Sequence, residues 1–140
     1  MLPVPTFSFS HLHPILVNFT AALFPASVGS DLLSKLSHRR SLAHAAWWMA
    51  LFAAIVTPLT VVAGLYWRRE VGQFLSPKLI NTHQWLGISM SVLFILIAWW
   101  RGKLHGREEN PGLVYFVAVS VVALALVYQG TLGGMMVFGK

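Results

Sequence analysis

The sequence predicts an all-α integral membrane protein: one domain over residues 1–140, with four transmembrane helices in an up-down-up-down bundle. Three observations carry that prediction. The chain is 56% hydrophobic and only 10% charged, with a mean hydropathy of +0.68, whereas soluble domains carry roughly 25% charged residues. Four apolar runs come close to the roughly 20 residues needed to cross hydrocarbon. The short segments between them hold glycine, proline and charge, as turns do, which makes successive helices antiparallel neighbours.

The first span is expected over about residues 14–33. Pro14 suits a first helical position, where its missing N–H costs no hydrogen bond, and His13 then becomes the N-cap. The second is expected over about residues 43–67, with a kink at Thr57-Pro58 because proline removes one helical bond. The third covers about residues 83–100 behind the cap candidates Asn81 and Thr82. The fourth begins at Pro111-Gly112 and runs to about Val137. Met1 to Ser10 has no basic segment ahead of an apolar run, so it does not read as a cleaved signal peptide.

The composition excludes several function classes. There is no cysteine, so disulfides, thiolate metal sites and cysteine nucleophiles are ruled out. Only four acids are present, none spaced with a histidine for acid–base work, and no glycine-rich phosphate loop precedes a helix. The formal charge of +6 lies in short gaps between apolar runs and forms no stripe for nucleic acid. It fits a lipid bilayer and its anionic headgroups. Lys35, Arg39, Arg40, Arg101, Lys103 and Arg107 share one side, against Arg68, Arg69, Lys78 and Lys140 on the other. The positive-inside rule makes the six-charge side cytoplasmic, with both termini periplasmic in a bacterial inner membrane. All six tryptophans fall near span ends, as an interfacial belt does.

The candidate site begins with histidine. In an up-down-up-down bundle the first and third helices are parallel and diagonal, so His13 and His83 stand at one level across the axis. Two imidazoles on diagonal helices suit the axial positions of a b-type haem. His11, His13 and His83 together also make a three-nitrogen set for zinc or copper. Asn18, Thr20, Thr57, Thr60, Ser89, Gln129 and Thr131 share the same half, while Ala45–Val56 and Val92–Trp100 are nearly bare of hydrogen-bonding side chains. That asymmetry predicts a cavity bordered by Asn18, Ser89 and Gln129. Gly130 and Gly134 form a small-xxx-small pair that admits another helix or a flat ligand. Arg68 and Arg69 are placed to meet haem propionates, or serve as ordinary flanking charges. Asp31 is expected to pair with Lys35 one turn away. Because the fourth span has no histidine, at most one diagonal bis-histidine site is expected.

The stretch His13-Pro14, Val17, Phe19 and Asp31, with His83, Gly133-Gly134, Val137 and Gly139, resembles a family of small bacterial four-span membrane proteins catalogued only as a domain of unknown function. In that family the first span opens with His-Pro, two or three apolar residues, then Val, His, Phe, Pro. This chain has Asn18 where the second histidine stands and Thr20 where the proline stands. Some relatives are joined to c-type cytochrome domains, which implies an outward C-terminus and a link to electron transfer.

Two function classes follow. One is a haem-b electron-transfer protein or an anchor subunit of a respiratory or photosynthetic complex, with a c-type cytochrome or quinone as partner. The other is a cofactor-free structural or assembly subunit in which the histidines are interfacial caps. A transporter fits least, since no inverted repeat or broken-helix pair is visible.

Overall fold

A computed structural model describes residues 9–138. The N-terminal residues 1–8, Gly139 and Lys140 lie outside them. After a short 3₁₀ turn at Phe9–His11, four helices follow: α1 (Leu12–Ser37), α2 (Arg40–Val71), α3 (Pro77–Gly106) and α4 (Leu113–Phe138). Each is long and apolar enough to cross a membrane, and there is no strand among the described residues.

The helices outrun the apolar spans because hydropathy marks only the hydrocarbon part, and helical hydrogen bonding continues into the polar flanks. His13 is therefore inside α1 rather than its N-cap, and His11 precedes the helix without capping it. Pro14 still sits in the first turn, where an N–H has no partner. Asn81 and Thr82 likewise lie inside α3, which starts a turn earlier with Pro77 at its first position. Pro111 and Gly112 precede α4. Neither Pro25 nor Pro58 interrupts its helix.

One spacing rule builds the bundle. Buried positions recur at intervals of four and three: Thr20, Phe24, Ser27, Asp31 and Ser34 on α1, Ala46, Ala50, Ala53, Thr57 and Thr60 on α2. The same holds for Met90, Phe94, Ile97 and Arg101 on α3, and for Tyr115, Val119 and Val122 on α4. A seven-residue repeat keeps one stripe of each helix on its neighbours with a small left-handed crossing. Lipid gives no hydrophobic force between helices, so small residues and hydrogen bonds supply the association. The alanines of α2 let α1 approach closely enough for the Ser27 hydroxyl to donate to the Ala46 carbonyl at 2.8 Å.

The core draws on all four helices, and side chains of α1 and α3 meet across it. Phe24 stacks on Phe94, with ring centroids 4.1 Å apart and planes 7° from parallel. The α1–α3 contacts His13–His83, Phe24–Phe94 and Asp31–Arg101 all join residues 70 apart in sequence. A constant offset over 18 residues, about 27 Å of helix at 1.5 Å per residue, means parallel helices in fixed register. Antiparallel neighbours are seen in His13–Thr60 and Ser27–Ala46 for α1 with α2, and in His83–Gln129 and Trp100–Tyr115 for α3 with α4.

The half expected to be bare holds the most buried charge in the bundle. Arg101 donates from Nε to both oxygens of Asp31 (3.0 and 2.9 Å) and from Nη2 to Oδ1 at 2.7 Å. Nη2 also meets the Ala43 carbonyl at 3.0 Å, and the Tyr115 hydroxyl donates to Asp31 Oδ2 at 3.1 Å. The expected Asp31–Lys35 pair is thus corrected. Arg101 comes from the facing helix with two-pronged geometry that a one-turn lysine cannot match, and Lys35 instead donates to the Pro111 carbonyl at 3.3 Å. The tryptophans divide as well. Trp48, Trp85 and Trp99 are exposed as a belt requires, whereas Trp47, Trp67 and Trp100 pack against His105, His13 and Tyr115.

Candidate functional site

The end of the bundle where α1 and α3 begin contains a cavity of about 640 Å³, reached by all four helices. That volume lies in the usual range for a ligand site, roughly 300–1,000 Å³. His13 and His83 face each other in it, with ring centroids 6.4 Å apart and planes at 82°. Each imidazole is seated by the second helix of its own hairpin. His13 Nδ1 bonds the Thr60 carbonyl of α2 at 2.8 Å. As the carbonyl can only accept, Nδ1 carries the proton and Nε2 keeps its lone pair. Trp67 packs beside the same ring at 5.4 Å.

Gly64 makes this seat. A Cβ there would lie 2.7 Å from His13 Cε1 and 2.8 Å from Nδ1, inside van der Waals contact, so any other residue would push the ring away. Gly133 lies against His83, but a Cβ there would only touch the ring, 3.4 Å from Cε1. The Gln129 amide donates to the His83 carbonyl at 2.9 Å and reaches His83 Nε2 at 3.3 Å. With the amide so oriented, Nε2 accepts and Nδ1 is the protonated nitrogen. His83 Nδ1 and Gln129 Oε1 are both buried without a hydrogen-bond partner. Buried polar atoms rarely go unpaired, and such exceptions call for an explanation.

The two halves of the site repeat each other. His13, Thr60 and Gly64 in the α1–α2 hairpin correspond to His83, Gln129 and Gly133 in α3–α4, each set a histidine with a bonding partner and a glycine from the returning helix. The repeat is parallel rather than inverted.

Not every expected residue is brought in. Asn18 and Gln129 line the cavity, but Ser89 is exposed and does not. Ser89 sits one residue before the buried Met90, which turns it out of the bundle. His11 is exposed on the 3₁₀ turn and also stays out. Among the described residues no three His, Cys, Asp or Glu side chains gather around one point, so the His11–His13–His83 set is not assembled. Arg68 lines the cavity mouth, where it donates to Gln84 Oε1 and, at 2.8 Å, to Asn81 Oδ1. Arg69 points elsewhere, over Tyr66 at 5.3 Å. Gly130 and Gly134 border the cavity, and a Cβ on either would meet nothing within 4 Å. They hold no neighbouring helix in this chain and leave space instead.

A family model described as "Predicted membrane protein (DUF2231)" matches residues 10–140, both site histidines included. The chain belongs to that family. Membership fits a membrane-spanning chain and carries no assigned activity. Neither a curated protein nor a solved structure matches the chain.

The sequence reading gave no site role to Gly64 or Gln84, took Trp67 for the interfacial belt, and named Gly133 only within the Gly-Gly motif. A glycine inside an apolar helix is an available signal, but only the partner helix shows that a histidine fills the gap.

Proposed function

We propose that this chain binds haem b between His13 and His83 and carries electrons in a bacterial inner membrane, alone or as an anchor subunit of a redox complex. The facing imidazole pair across the cavity carries the reading. The rings stand 6.4 Å apart by centroid, and the two residues would hold the iron between them, each through one imidazole nitrogen, once His83 Nε2 turns from Gln129.

The surroundings support it. His13 has the arrangement usual for a metal-bound imidazole, its other nitrogen donating to a backbone carbonyl, which fixes the tautomer and raises the basicity of Nε2. At His83 the lone pair now accepting the Gln129 amide is the one available to iron, and that amide keeps its bond to the His83 carbonyl. Gly130 and Gly134 leave open space along one wall, which a macrocycle would need. Arg68, which donates to neutral amide oxygens at the mouth, is suited to a propionate, since carboxylate makes the stronger charge-assisted bond. When bound, the haem supplies one-electron chemistry, while the apolar lining excludes water and the histidines fix orientation.

Basic residues support a periplasmic site, although the pairing of Arg101 with Asp31 narrows the balance from six against four to five against four. A partner on that face is a c-type cytochrome, and one within the bilayer is a quinone. In the test, protein purified from membranes with ample haem shows a b-type reduced-minus-oxidised spectrum. His13→Ala or His83→Ala abolishes or strongly shifts it, whereas His11→Ala, His38→Ala and His105→Ala leave it intact. A colourless protein refutes the proposal and leaves the cofactor-free assembly subunit. A reporter fused after Lys140 reads periplasmic and one inserted near Ser37 cytoplasmic; the reverse moves the site to the cytoplasmic face.

A further inference from the structure

A second pair of histidines meets at the opposite end of the bundle. His44 is on the first turns of α2 and His105 on the last turn of α3, and their rings stand edge to face with centroids 4.8 Å apart. We propose that His44 and His105 form a binding site for a divalent zinc-class cation, independent of the cavity and of any haem in it. Imidazole nitrogen is the donor that suits zinc, copper and nickel, and these two come from different helices, so one ion would tie the start of α2 to the end of α3.

The placement is built rather than incidental. Trp47 lies along His105, its centroid 5.8 Å away and its plane tilted by 23°, and so holds that ring upright beside His44. Trp47 reaches this position because residue 102 is glycine: a Cβ there would come within 2.9 Å of Trp47 Cη2. Among the described residues neither imidazole is engaged in a hydrogen bond through its ring, so the nitrogens have no competing partner to lose.

Among the described residues no third His, Cys, Asp or Glu closes on this pair, so a third protein ligand would have to move in. Glu108 follows His105 by three residues in the left-handed conformation, φ 55°, which a non-glycine residue adopts at some cost. Its amide caps the helix end by donating to the His105 carbonyl at 3.1 Å. Its carboxylate meets Arg40 at 3.5 Å, with both side chains largely exposed, an association worth little. Arg40 is one turn before His44, so the weak Arg40–Glu108 pair runs parallel to the His44–His105 pair. Release from Arg40 frees the carboxylate as an oxygen ligand, and water fills the remaining tetrahedral position.

Zinc binding to tag-free protein in lipid nanodiscs, measured by competition with a chromophoric chelator, tests this. About one equivalent is expected, retained in a His13→Ala/His83→Ala variant. His44→Ala and His105→Ala should each weaken it by more than about tenfold, the range seen when a metal site loses a supporting group, and Glu108→Gln by a smaller factor. His44→Gln and His105→Gln repeat the loss with side chains of similar bulk, and unchanged helicity and elution show that the bundle is intact. Absence of zinc binding, or equal binding by the parent and all four histidine variants, overturns the proposal. So does a site lost only with His13 and His83.

Discussion

Arg101→Met removes one half of a charge pair whose side chains are 1% and 0% exposed. Asp31 would keep only the 3.1 Å bond from Tyr115, with three guanidinium contacts of 2.7–3.0 Å gone. The Ala43 carbonyl would lose its side-chain donor too. Stranding a buried charge in this way costs about 3–5 kcal/mol. Removing both charges strands neither, so Asp31→Leu/Arg101→Met should recover most of that loss. The assay is unfolding of purified protein by increasing SDS in mixed micelles, followed by circular dichroism. The single and double variants together give the coupling energy. If the single variant falls within about 1 kcal/mol of the parent, the value of an exposed pair, the pair is solvated and the network is not what holds this end together.

Two further predictions concern the site end and the register. Gly64→Ala places a methyl 2.7 Å from His13, so it should break the Thr60 bond, cost about 1–3 kcal/mol by overpacking and remove any haem spectrum. Gly133→Ala, with 3.4 Å available, should be markedly milder, and equal effects in the two would refute the seating argument. Because the chain has no cysteine, Phe24→Cys/Phe94→Cys should be joined by a short bifunctional thiol reagent across the place where the rings now stack. Phe24→Cys with Leu96→Cys on the exposed face of α3 should not; the reverse outcome would show a different register.

The architecture was legible because hydropathy and turn composition are one-dimensional signals. The diagonal meeting of His13 and His83 followed from topology alone, since short loops force α1 and α3 to be parallel. Partners that depend on helix rotation were not legible. Arg101 read as a loop charge because hydropathy ended the third span before it, yet α3 continues to Gly106 and carries the guanidinium back into the core. Ser89 and Asn18 read alike as mid-span polar residues, but only the rotation of each helix decides that Asn18 lines the cavity. Gly64 was a visible signal but an ambiguous one, since a lone glycine between alanine and leucine has ordinary packing reasons to be there.

The two ends of the α1–α3 seam, about 27 Å apart along the helices, solve opposite problems. At the Asp31 end the polar groups satisfy one another: carboxylate, guanidinium, tyrosine hydroxyl and backbone carbonyl form a closed set contributed by all four helices. At the histidine end Gly64 is spent on seating His13, Gly130 and Gly134 border open space, and two buried polar atoms have no partner among the described residues. Packing alone would favour filling that space, because helices in lipid associate through close contact and completed hydrogen bonds. A single register links the ends, and the same offset of 70 residues that brings Arg101 onto Asp31 brings His83 opposite His13. The closed end therefore sets the geometry of the open one. The bundle thus holds two imidazoles in register across a space that it leaves unpacked.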